Sequence, residues 1–352
     1  MNRRVKTPGG DLRSLLASRR RIAVLAAAAF VILLVASGML LTHPFWKPGA
    51  AFATDTPASA EDRTADLVTL TTEGELDPVK VEEAFAPVRH RLEGLHVLMV
   101  PSFLSDFLMP ARKVGLADYF QAQERWLAEE GVTFEIAGSN TAASSEENAE
   151  WIRRHVEASE KPVCLITHSK GGIDVLVFLA GAEEKLRHKV RCWIALQPPF
   201  GGSPIADTVL ADPGASALSE ASLALLGGSL EAVADLSTPK RRAFLEEQDS
   251  AIKEVTAGTP VLAVAGRFKS DTWLDAGFPY TIPRSWLERR GVESDGLVPV
   301  QSARLPHAPF VLLDDADHGA TVREAMPLAE DSGLFLKALF TLLPWKTLTP
   351  DD

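Results

Sequence analysis

The stretch CLITHSKGGIDVL, residues 164–176, passes abruptly from an apolar strand to a helix. An apolar run ends at Thr167, the polar residues HSK follow, and two glycines lead into a second apolar segment. A serine at such a corner exposes its hydroxyl above the sheet, where the free N–H groups of the helix N-terminus also point. Gly171 and Gly172 suit a place where helix and strand pass closely. The pattern predicts Ser169 as a nucleophile, and the alternative is a plain strand–helix turn that happens to contain serine.

The chain on both sides of this corner alternates between apolar strands and helices. Strands are predicted at 95–101, 132–137, 162–167, 189–197, 260–266 and 309–314. Helices are predicted at 116–130, 144–159, 171–187 and 320–342. The strands are almost continuously apolar, which is typical of a parallel sheet covered on both faces. We therefore expect the α/β class, with a mostly parallel central sheet of about six strands flanked by helices. Residues from about 205 to 256 are more than a connection needs, so a helical lid is predicted there.

The base that would activate this serine can be sought by position in the sheet. Sites in open α/β sheets form at the carboxyl ends of the strands. Of the eight histidines, only His168 and His318 follow predicted strands at that edge. His168 adjoins Ser169, and neighbouring side chains in extended chain point apart, so a structural role is expected for it. His318 is predicted as the general base, and the alternative is a solvated loop histidine.

The acid that would orient His318 is sought between the serine and the histidine. Asp295, in VESDGLVPVQSARLP, lies in the loop between the fifth and sixth predicted strands. Asp271, Asp275 and Asp314 are the other possibilities. We expect Asp295 to be the third member, a choice that depends on the motif around it.

An oxyanion hole would need two backbone N–H groups. Lys170, directly after the serine, should supply one, and Phe103, in the loop after the first predicted strand, should supply the other. The side chain of Lys170 is expected either to contact substrate or to be solvated. The loop 103–110, FLSDFLMP, is expected to supply apolar contacts to an acyl chain together with the lid, unless it only packs against the lid.

The N-terminus has the pattern of a membrane anchor. Residues 1–21 contain seven Lys or Arg and one acid, so they carry +6 and leave −17 for the remainder of a chain with net charge −11. The apolar segment 22–42 follows, and 20 helical residues span about 30 Å, the thickness of the hydrocarbon core of a bilayer. A retained signal-anchor in the cytoplasmic (inner) membrane is predicted, with the catalytic domain outside. The alternative is secretion after cleavage near Ala53, in the sequence AFA.

The rest of the chain divides into a linker and one domain. Residues 43–87 are rich in Pro, Ala, Thr and acids and are predicted to be a linker with a short helix near 78–90, before a domain at 88–346. The acidic body argues against a nucleic-acid partner. Cys164 and Cys192 lie in predicted buried strands and are expected to be packed thiols, although a disulfide is permitted outside the cytoplasm.

Four motifs, in order, resemble those of the α/β-hydrolase superfamily and, within it, the bacterial triacylglycerol lipases and esterases. THSKGG is similar to the lipase elbow G-H-S-x-G-G, and PPFGGSPIAD (198–207) is similar to T-P-H-x-G-S-x-x-A-D. SDGLVPVQSARL and DHGATV resemble the stretches that bear the catalytic aspartate and histidine. The resemblance covers roughly residues 94–345. It implies the α/β-hydrolase fold, hydrolysis of esters by a Ser-His-Asp triad, an apolar acyl pocket and a mobile helical lid.

The sequence departs from the lipase pattern at several positions. Thr167 replaces the first glycine of the elbow, Pro101-Ser102 replaces His-Gly before the oxyanion residue, and Phe200 replaces the histidine of T-P-H. Ala320 stands where calcium-binding lipases have an acid, so calcium is not expected. No other cofactor or metal is predicted.

These observations together predict a membrane-tethered serine hydrolase of carboxylic, lipid-like esters. One alternative keeps the triad but makes the protein an acyltransferase or a lipid deacylase. A second alternative is a non-catalytic, membrane-tethered binding protein of the same fold.

Overall fold

The computed structural model describes residues 60–345, except 104, 106–108, 110–111, 113–117, 139, 212–228, 270–277, 325, 327 and 330. The strands are β1 (Thr71–Thr72), β2 (Glu75–Leu76), β3 (His96–Val100), β4 (Thr133–Ile136), β5 (Val163–His168), β6 (Val190–Leu196), β7 (Val261–Arg267) and β8 (Phe310–Asp314). β1 and β2 form a small antiparallel hairpin. The other six strands form one parallel sheet in the order β4-β3-β5-β6-β7-β8. The six predicted strands are confirmed to within one residue at each end.

Helices cover both faces of this sheet. They are α1 (Thr64–Thr69), α2 (Pro78–Phe85), α3 (Gln121–Glu129), α4 (Ser145–Ala158), α5 (Lys170–Gly181), α6 (Glu184–Arg187), α7 (Pro204–Ala211), α8 (Leu230–Ala234), α9 (Thr238–Glu247), α10 (Asp249–Gly258), α11 (Phe278–Glu288) and α12 (Ser332–Leu342). The predicted helix at 320–342 is shorter in the structure, since 320–322 is a single 3-10 turn. α12 begins only where the Asp331 carboxylate accepts the N–H groups of Gly333 and Leu334 and caps the helix.

The side chains on the two faces of the sheet belong to two separate clusters of the hydrophobic core. In β3, Leu98 and Val100 pack with buried residues of α4, α5 and α10, whereas Val97 and Met99 pack with those of α2, α3 and α12. All six side chains of β5 are buried. Continuous apolar sequence is therefore required of these strands, because neither face meets solvent.

The folded domain begins earlier than the predicted boundary at residue 88. Asp62 pairs with Phe310 on the edge strand β8, and the N–H of Arg63 donates to the Phe310 carbonyl over 2.8 Å. Val81 and Phe85 of α2 are fully buried against the sheet. The part of the predicted linker after residue 60 is thus integrated into the domain, where it covers an otherwise open sheet edge. The remainder of the linker lies outside the described residues.

The predicted lid at about 205–256 divides into two parts. α10 buries Ile252 and Val255 in the core beneath the sheet and packs against α5, as a crossover helix between β6 and β7 does. α7 and α8 instead pack with Phe103 in a separate apolar cluster. Only α7 and α8 therefore have the position expected for a lid. α10 does not, because its removal would expose the core.

The two cysteines are joined by a disulfide. Cys164 and Cys192 are directly opposite in the register of the central strands β5 and β6, with their Cα atoms 4.7 Å apart. The expectation of packed thiols is wrong, because this register brings the two side chains to bonding distance on the same face of the sheet.

Among the described residues, no helix has both the length and the apolar composition needed to cross a bilayer. The predicted membrane segment at 22–42 lies outside the described residues.

Candidate active site

Ser169 forms the corner between the central strand and the helix that follows it. β5 ends at His168 and α5 begins at Lys170, so Ser169 alone makes the turn, with φ 54° and ψ −124°. A residue other than glycine adopts such a backbone conformation only where the surrounding structure enforces it. The result is a hydroxyl held at the carboxyl edge of the sheet, at the N-terminus of a helix.

The two glycines after this serine are explained by close contacts on both sides of the helix. A β-carbon on Gly171 would lie 2.5 Å from the carbonyl oxygen of Val100, at the end of β3. One on Gly172 would lie 2.6 Å from the β-carbon of Pro198. Gly171 therefore lets the corner at Ser169 approach the loop after β3, where an oxyanion residue was predicted, and Gly172 lets it approach the loop after β6.

Ser169, His318 and Asp295 form one continuous hydrogen-bonded chain. The Ser169 Oγ lies 2.8 Å from Nε2 of His318, and Nδ1 of His318 lies 2.8 Å from Oδ2 of Asp295. A proton on Nδ1 satisfies both contacts, because Nδ1 then donates to Asp295 and Nε2 accepts from the serine. Ser169 follows β5, Asp295 follows β7 and His318 follows β8, so strands far apart in sequence bring the three residues together.

Asp295 is held by the turn in which it lies. It is 1% exposed, and its Oδ1 accepts the N–H groups of Leu297 and Val298 at 3.0 and 2.8 Å. These two hydrogen bonds fix the orientation of the carboxylate. Its other oxygen, Oδ2, is left to face His318.

Gln197 is a site residue that the sequence interpretation missed. Its Nε2 donates to Asp295 Oδ2 at 3.0 Å and to the carbonyl of Asp317 at 2.8 Å, while its Oε1 accepts the hydroxyl of Thr321. It follows the last residue of β6 with φ 50° and is fully buried. A polar residue at the carboxyl end of a strand was the signal that could have identified it.

The other aspartates considered from sequence are not at this site as far as the structure describes them. The carboxylate of Asp314 is paired with Arg267, at 2.7 Å from Nε, and its side chain is 58% exposed. Asp271 and Asp275 lie outside the described residues. Of the four aspartates, the structure brings Asp295 to His318.

His168 is buried beside the chain of Ser169 and His318. Its Nδ1 lies 2.9 Å from the Tyr119 hydroxyl, and its Nε2 lies 2.8 Å from the carbonyl oxygen of His318. Burial, together with the neighbouring His318, lowers its pKa well below 6.5, so this ring is neutral. Both ring nitrogens therefore contact groups other than Ser169, in agreement with the expected structural role.

The two predicted oxyanion donors lie on the segments that meet at Gly171. Lys170 opens α5, and amides in the first turn of a helix have no partner within the helix. Phe103 is on the loop after β3, and the preceding amide, that of Ser102, donates to the Tyr119 hydroxyl at 2.9 Å. The N–H of Ser102 is therefore already committed to Tyr119, and the N–H of Phe103 stays the predicted oxyanion donor of this loop.

The side chain of Lys170 has neither of its predicted positions. It is 1% exposed, and its Nζ lies 2.7 Å from Oδ1 of Asp174, one turn along the same helix. Oδ2 of Asp174 accepts a hydrogen bond from Asn148 at 2.9 Å. Burial raises the pKa of Asp174, although the charge of Lys170 opposes this shift. The lysine is thus paired inside the protein, because α5 is covered by α4 at this point.

Two departures from the lipase pattern have a local structural explanation. The Thr167 hydroxyl accepts the indole N–H of Trp193 at 3.0 Å, with both side chains fully buried. Phe200 packs edge-on against the same indole, with the ring centres 5.7 Å apart. Thr167 is therefore accommodated because it satisfies a buried donor on the neighbouring strand.

An apolar cluster adjoins the predicted oxyanion loop. Phe103 packs with Ala206 and Val209 of α7 and with Val233 of α8. Within the described residues, no set of three His, Cys, Asp or Glu side chains is placed to hold a metal ion. The loop that carries Phe103 thus has apolar side chains beside it.

Neither a protein-family model nor a curated protein matches the sequence. Solved structures do match. A metagenomic carboxyl esterase is 22% identical over 71% of this chain and 75% of that chain, with a TM-score of 0.56. The Bacillus licheniformis lipase BlEst2 in its propeptide form is 20% identical over 71% of this chain and 50% of that chain, with a TM-score of 0.54. At these identities the similarity shows the fold: the chain has the α/β-hydrolase fold that it was expected to have.

Proposed function

We propose that the protein is a serine hydrolase that cleaves carboxylic esters with apolar, lipid-like acyl groups. The observation that carries the proposal is the buried hydrogen-bonded chain from Ser169 through His318 to Asp295, with the serine in a strained strand–helix corner. The non-catalytic alternative explains neither the strain at Ser169 nor the cost of burying Asp295.

In the proposed acylation step, the Ser169 Oγ attacks the ester carbonyl while its proton passes to Nε2 of His318. Asp295 holds the ring and stabilises the imidazolium that forms. The N–H groups of Lys170 and Phe103 would donate to the oxyanion. The C–O bond to the alcohol then breaks, His318 gives its proton to that alcohol, and the acyl group remains on Ser169.

In deacylation, water takes the place of the departed alcohol. His318 removes a proton from the water, which attacks the acyl carbonyl, and the serine leaves with that proton. An acyltransferase would replace the water by another alcohol, so the two activities differ only in the second acceptor.

The apolar acyl preference is supported by the cluster of Phe103 with α7 and α8, which adjoins the oxyanion loop. We propose that α7 and α8 belong to a lid, because they pack outside the two main parts of the core. A series of p-nitrophenyl esters of increasing chain length would test this. Rising kcat/KM beyond the butyrate is expected, and a strict preference for acetate would contradict the lipid-like assignment.

A fluorophosphonate probe would test the hydrolase proposal directly. Labelling of the wild type is expected, with no labelling of Ser169→Ala or His318→Ala. Matched controls are Ser159→Ala, at the end of α4, and His188→Ala, which is exposed, and both should label like the wild type. Absence of wild-type labelling would reject the proposal. Product analysis with and without added glycerol would then separate hydrolysis from acyl transfer.

We also propose that residues 22–42 anchor the protein in the inner membrane with the domain outside. The segment of net charge +6 before the apolar run and the Cys164–Cys192 disulfide both support this orientation. Membrane fractionation and protease treatment of spheroplasts are the test. A domain that resists protease until the cells are lysed would contradict the orientation, and a mature N-terminus near Ala53 would favour secretion instead.

A further inference from the structure

A second hydrogen-bonded chain runs beside the one that contains the nucleophile. It joins the N–H of Ser102, the hydroxyl of Tyr119, the ring of His168 and the carbonyl of His318, with donor–acceptor distances of 2.9, 2.9 and 2.8 Å. Tyr119 and His168 are 5% and 3% exposed, so water does not compete freely for these contacts.

The chemistry of the groups allows only one direction for this chain. The His318 carbonyl can only accept, so Nε2 of His168 must carry a proton. His168 is neutral, because burial lowers its pKa well below 6.5, so its Nδ1 must accept. The Tyr119 hydroxyl must therefore donate to Nδ1, and its oxygen is left to accept the N–H of Ser102. Each donor has an acceptor, and each ring nitrogen has one assigned role.

The two ends of this hydrogen-bonded chain lie on two segments whose relative position the proposed reaction requires to be fixed. Ser102 precedes Phe103, whose N–H is a proposed oxyanion donor, and His318 is the proposed base. We propose that Tyr119 and His168 are positioning residues that hold the oxyanion loop and the catalytic histidine in fixed relation, a role that rests on the proposed function. Neither side chain is expected to touch the substrate.

This relation matters because the oxyanion donor must meet an oxygen that forms only during the reaction. A displacement of about 1 Å in a catalytic group can cost about 100-fold in rate. The loop after β3 also places Phe103 in the apolar cluster with α7. Movement of the proposed lid would therefore act on the backbone of this loop. The hydrogen bond from Ser102 to Tyr119 fixes the peptide next to Phe103.

Kinetics of three variants would test the positioning role. Tyr119→Phe removes only the hydroxyl, His168→Leu removes both ring contacts, and His168→Gln retains a donor toward the His318 carbonyl. We expect kcat for a p-nitrophenyl ester to fall about 10-fold in Tyr119→Phe with KM within about 2-fold of wild type. His168→Gln should retain more activity than His168→Leu. The double variant Tyr119→Phe/His168→Leu should be no slower than the slower single variant, because both break one chain.

Thr167→Val is a matched control. It also removes a buried hydroxyl and leaves a buried N–H, that of Trp193, without its partner, only two residues from the nucleophile. It should lower the thermal unfolding midpoint about as much as Tyr119→Phe while kcat stays at the wild-type level. If Tyr119→Phe has wild-type kcat, or if Thr167→Val loses as much kcat, the positioning role is rejected.

A measurement independent of activity separates this inference from the proposed function. Nitrogen-15 NMR of the histidine rings, assigned with His168→Gln, should show His168 neutral at pH 7 with its proton on Nε2. A proton on Nδ1 or a charged ring would overturn the directed chain. If the wild type fails to react with the fluorophosphonate, the proposed function fails while the NMR result still decides whether the chain exists as described.

Discussion

Ser169 lies between two sets of buried polar side chains that are built differently. The triad-side set comprises Tyr119, His168, Gln197, Asp295 and His318. The helix-side set comprises Asn148, Lys170, Asp174, Asp235 and Arg241. In the triad-side set, planar groups are joined by hydrogen bonds between 2.8 and 3.0 Å, and each contact fixes which atom donates. In the helix-side set, opposite charges are buried together, as in the pair of Lys170 and Asp174.

The helix-side set also ties separate helices to one another. Asp235, after α8, accepts the N–H of Ser145 at the start of α4, and its other oxygen pairs with Lys240 of α9. Arg241 is almost fully buried, and burial lowers its pKa to about 10 against the opposing charges of Asp235 and Asp174. Ionic attraction depends weakly on angle. These contacts therefore suit the joining of helices rather than the orientation of a hydrogen-bond donor.

This difference suggests that the two sets contribute to different properties. Loss of a directed hydrogen bond on the triad side should lower turnover. Loss of one charge on the helix side should lower stability and leave turnover intact.

Asp295→Asn should have the largest effect on turnover. The side chain keeps its size and still accepts the N–H groups of Leu297 and Val298, but its amide group opposes the Nδ1 proton of His318. Loss of this acceptor selects the wrong tautomer, and a comparable change in a serine protease costs about 10⁴-fold in kcat. Steady-state hydrolysis of p-nitrophenyl butyrate measures it. Asp314→Asn, at an exposed ion pair, is the control and should retain full activity, and an Asp295→Asn variant within 10-fold of wild type would contradict the assignment.

Asp174→Asn should have the largest effect on stability. It leaves the ammonium group of Lys170 buried without an anion, which costs about 3–5 kcal/mol of unfolding free energy. Urea unfolding measures this loss, and kcat of the folded fraction should stay near the wild-type value. In the double variant Lys170→Met/Asp174→Leu neither charge remains, so it should be more stable than Asp174→Asn. A large fall in kcat in Asp174→Asn would show that the helix side also positions the reacting groups.

The features predicted from sequence are those that local pattern determines. The six strands follow from apolar runs, because strands buried on both faces admit few polar residues. Ser169 and His318 could be selected because the carboxyl edge of a parallel sheet excludes most other histidines. Asp295 required its motif as well, since loops on that edge contain several aspartates.

The features that sequence did not reveal depend on contacts between distant parts of the chain. Gln197 bonds to residues about 100 positions away, and nothing in its neighbourhood indicates those partners. The burial of Lys170 depends on α4 covering α5, and a lysine without that cover would be solvated. Residues 61–63 have linker composition, yet they pair with β8 because that edge strand has unsatisfied hydrogen-bonding groups.

Gln197→Met should lower turnover less than Asp295→Asn does. It tests whether the residues that support turnover also contribute to stability. It removes the donor to Asp295 Oδ2, but the two backbone donors and His318 remain. A hydrogen bond to a charged group contributes about 1.5–3 kcal/mol, so kcat should fall about 10-fold or more, and stability should fall by a similar free energy. Thr321→Val, which removes only the partner of the Gln197 carbonyl, is the control and should change kcat less. Unchanged kcat in Gln197→Met would exclude Gln197 from the residues that support turnover.

The pH dependence of stability should show the smallest effect, and its sign identifies His168. Its pKa is lowered in the folded protein, so between the folded pKa and 6.5 the unfolded chain binds a proton that the folded protein does not. The stability it contributes is therefore present above pH 6.5 and is lost as the pH falls. For one such group, unfolding free energy should decrease by about 0.7 kcal/mol between pH 7 and pH 6. The contribution of Asp174 to the pH dependence of stability has the opposite sign, since its pKa is raised. This contribution is the same in the wild type and in His168→Gln, so it cancels when the two proteins are compared. Urea unfolding of the two at pH 7 and pH 6 should show a smaller decrease in the variant. Equal decreases would mean that His168 takes up its second proton over the same pH range in the folded and unfolded protein. A larger decrease in the variant would mean that the ring is charged in the folded protein, so that Nδ1 would donate to Tyr119.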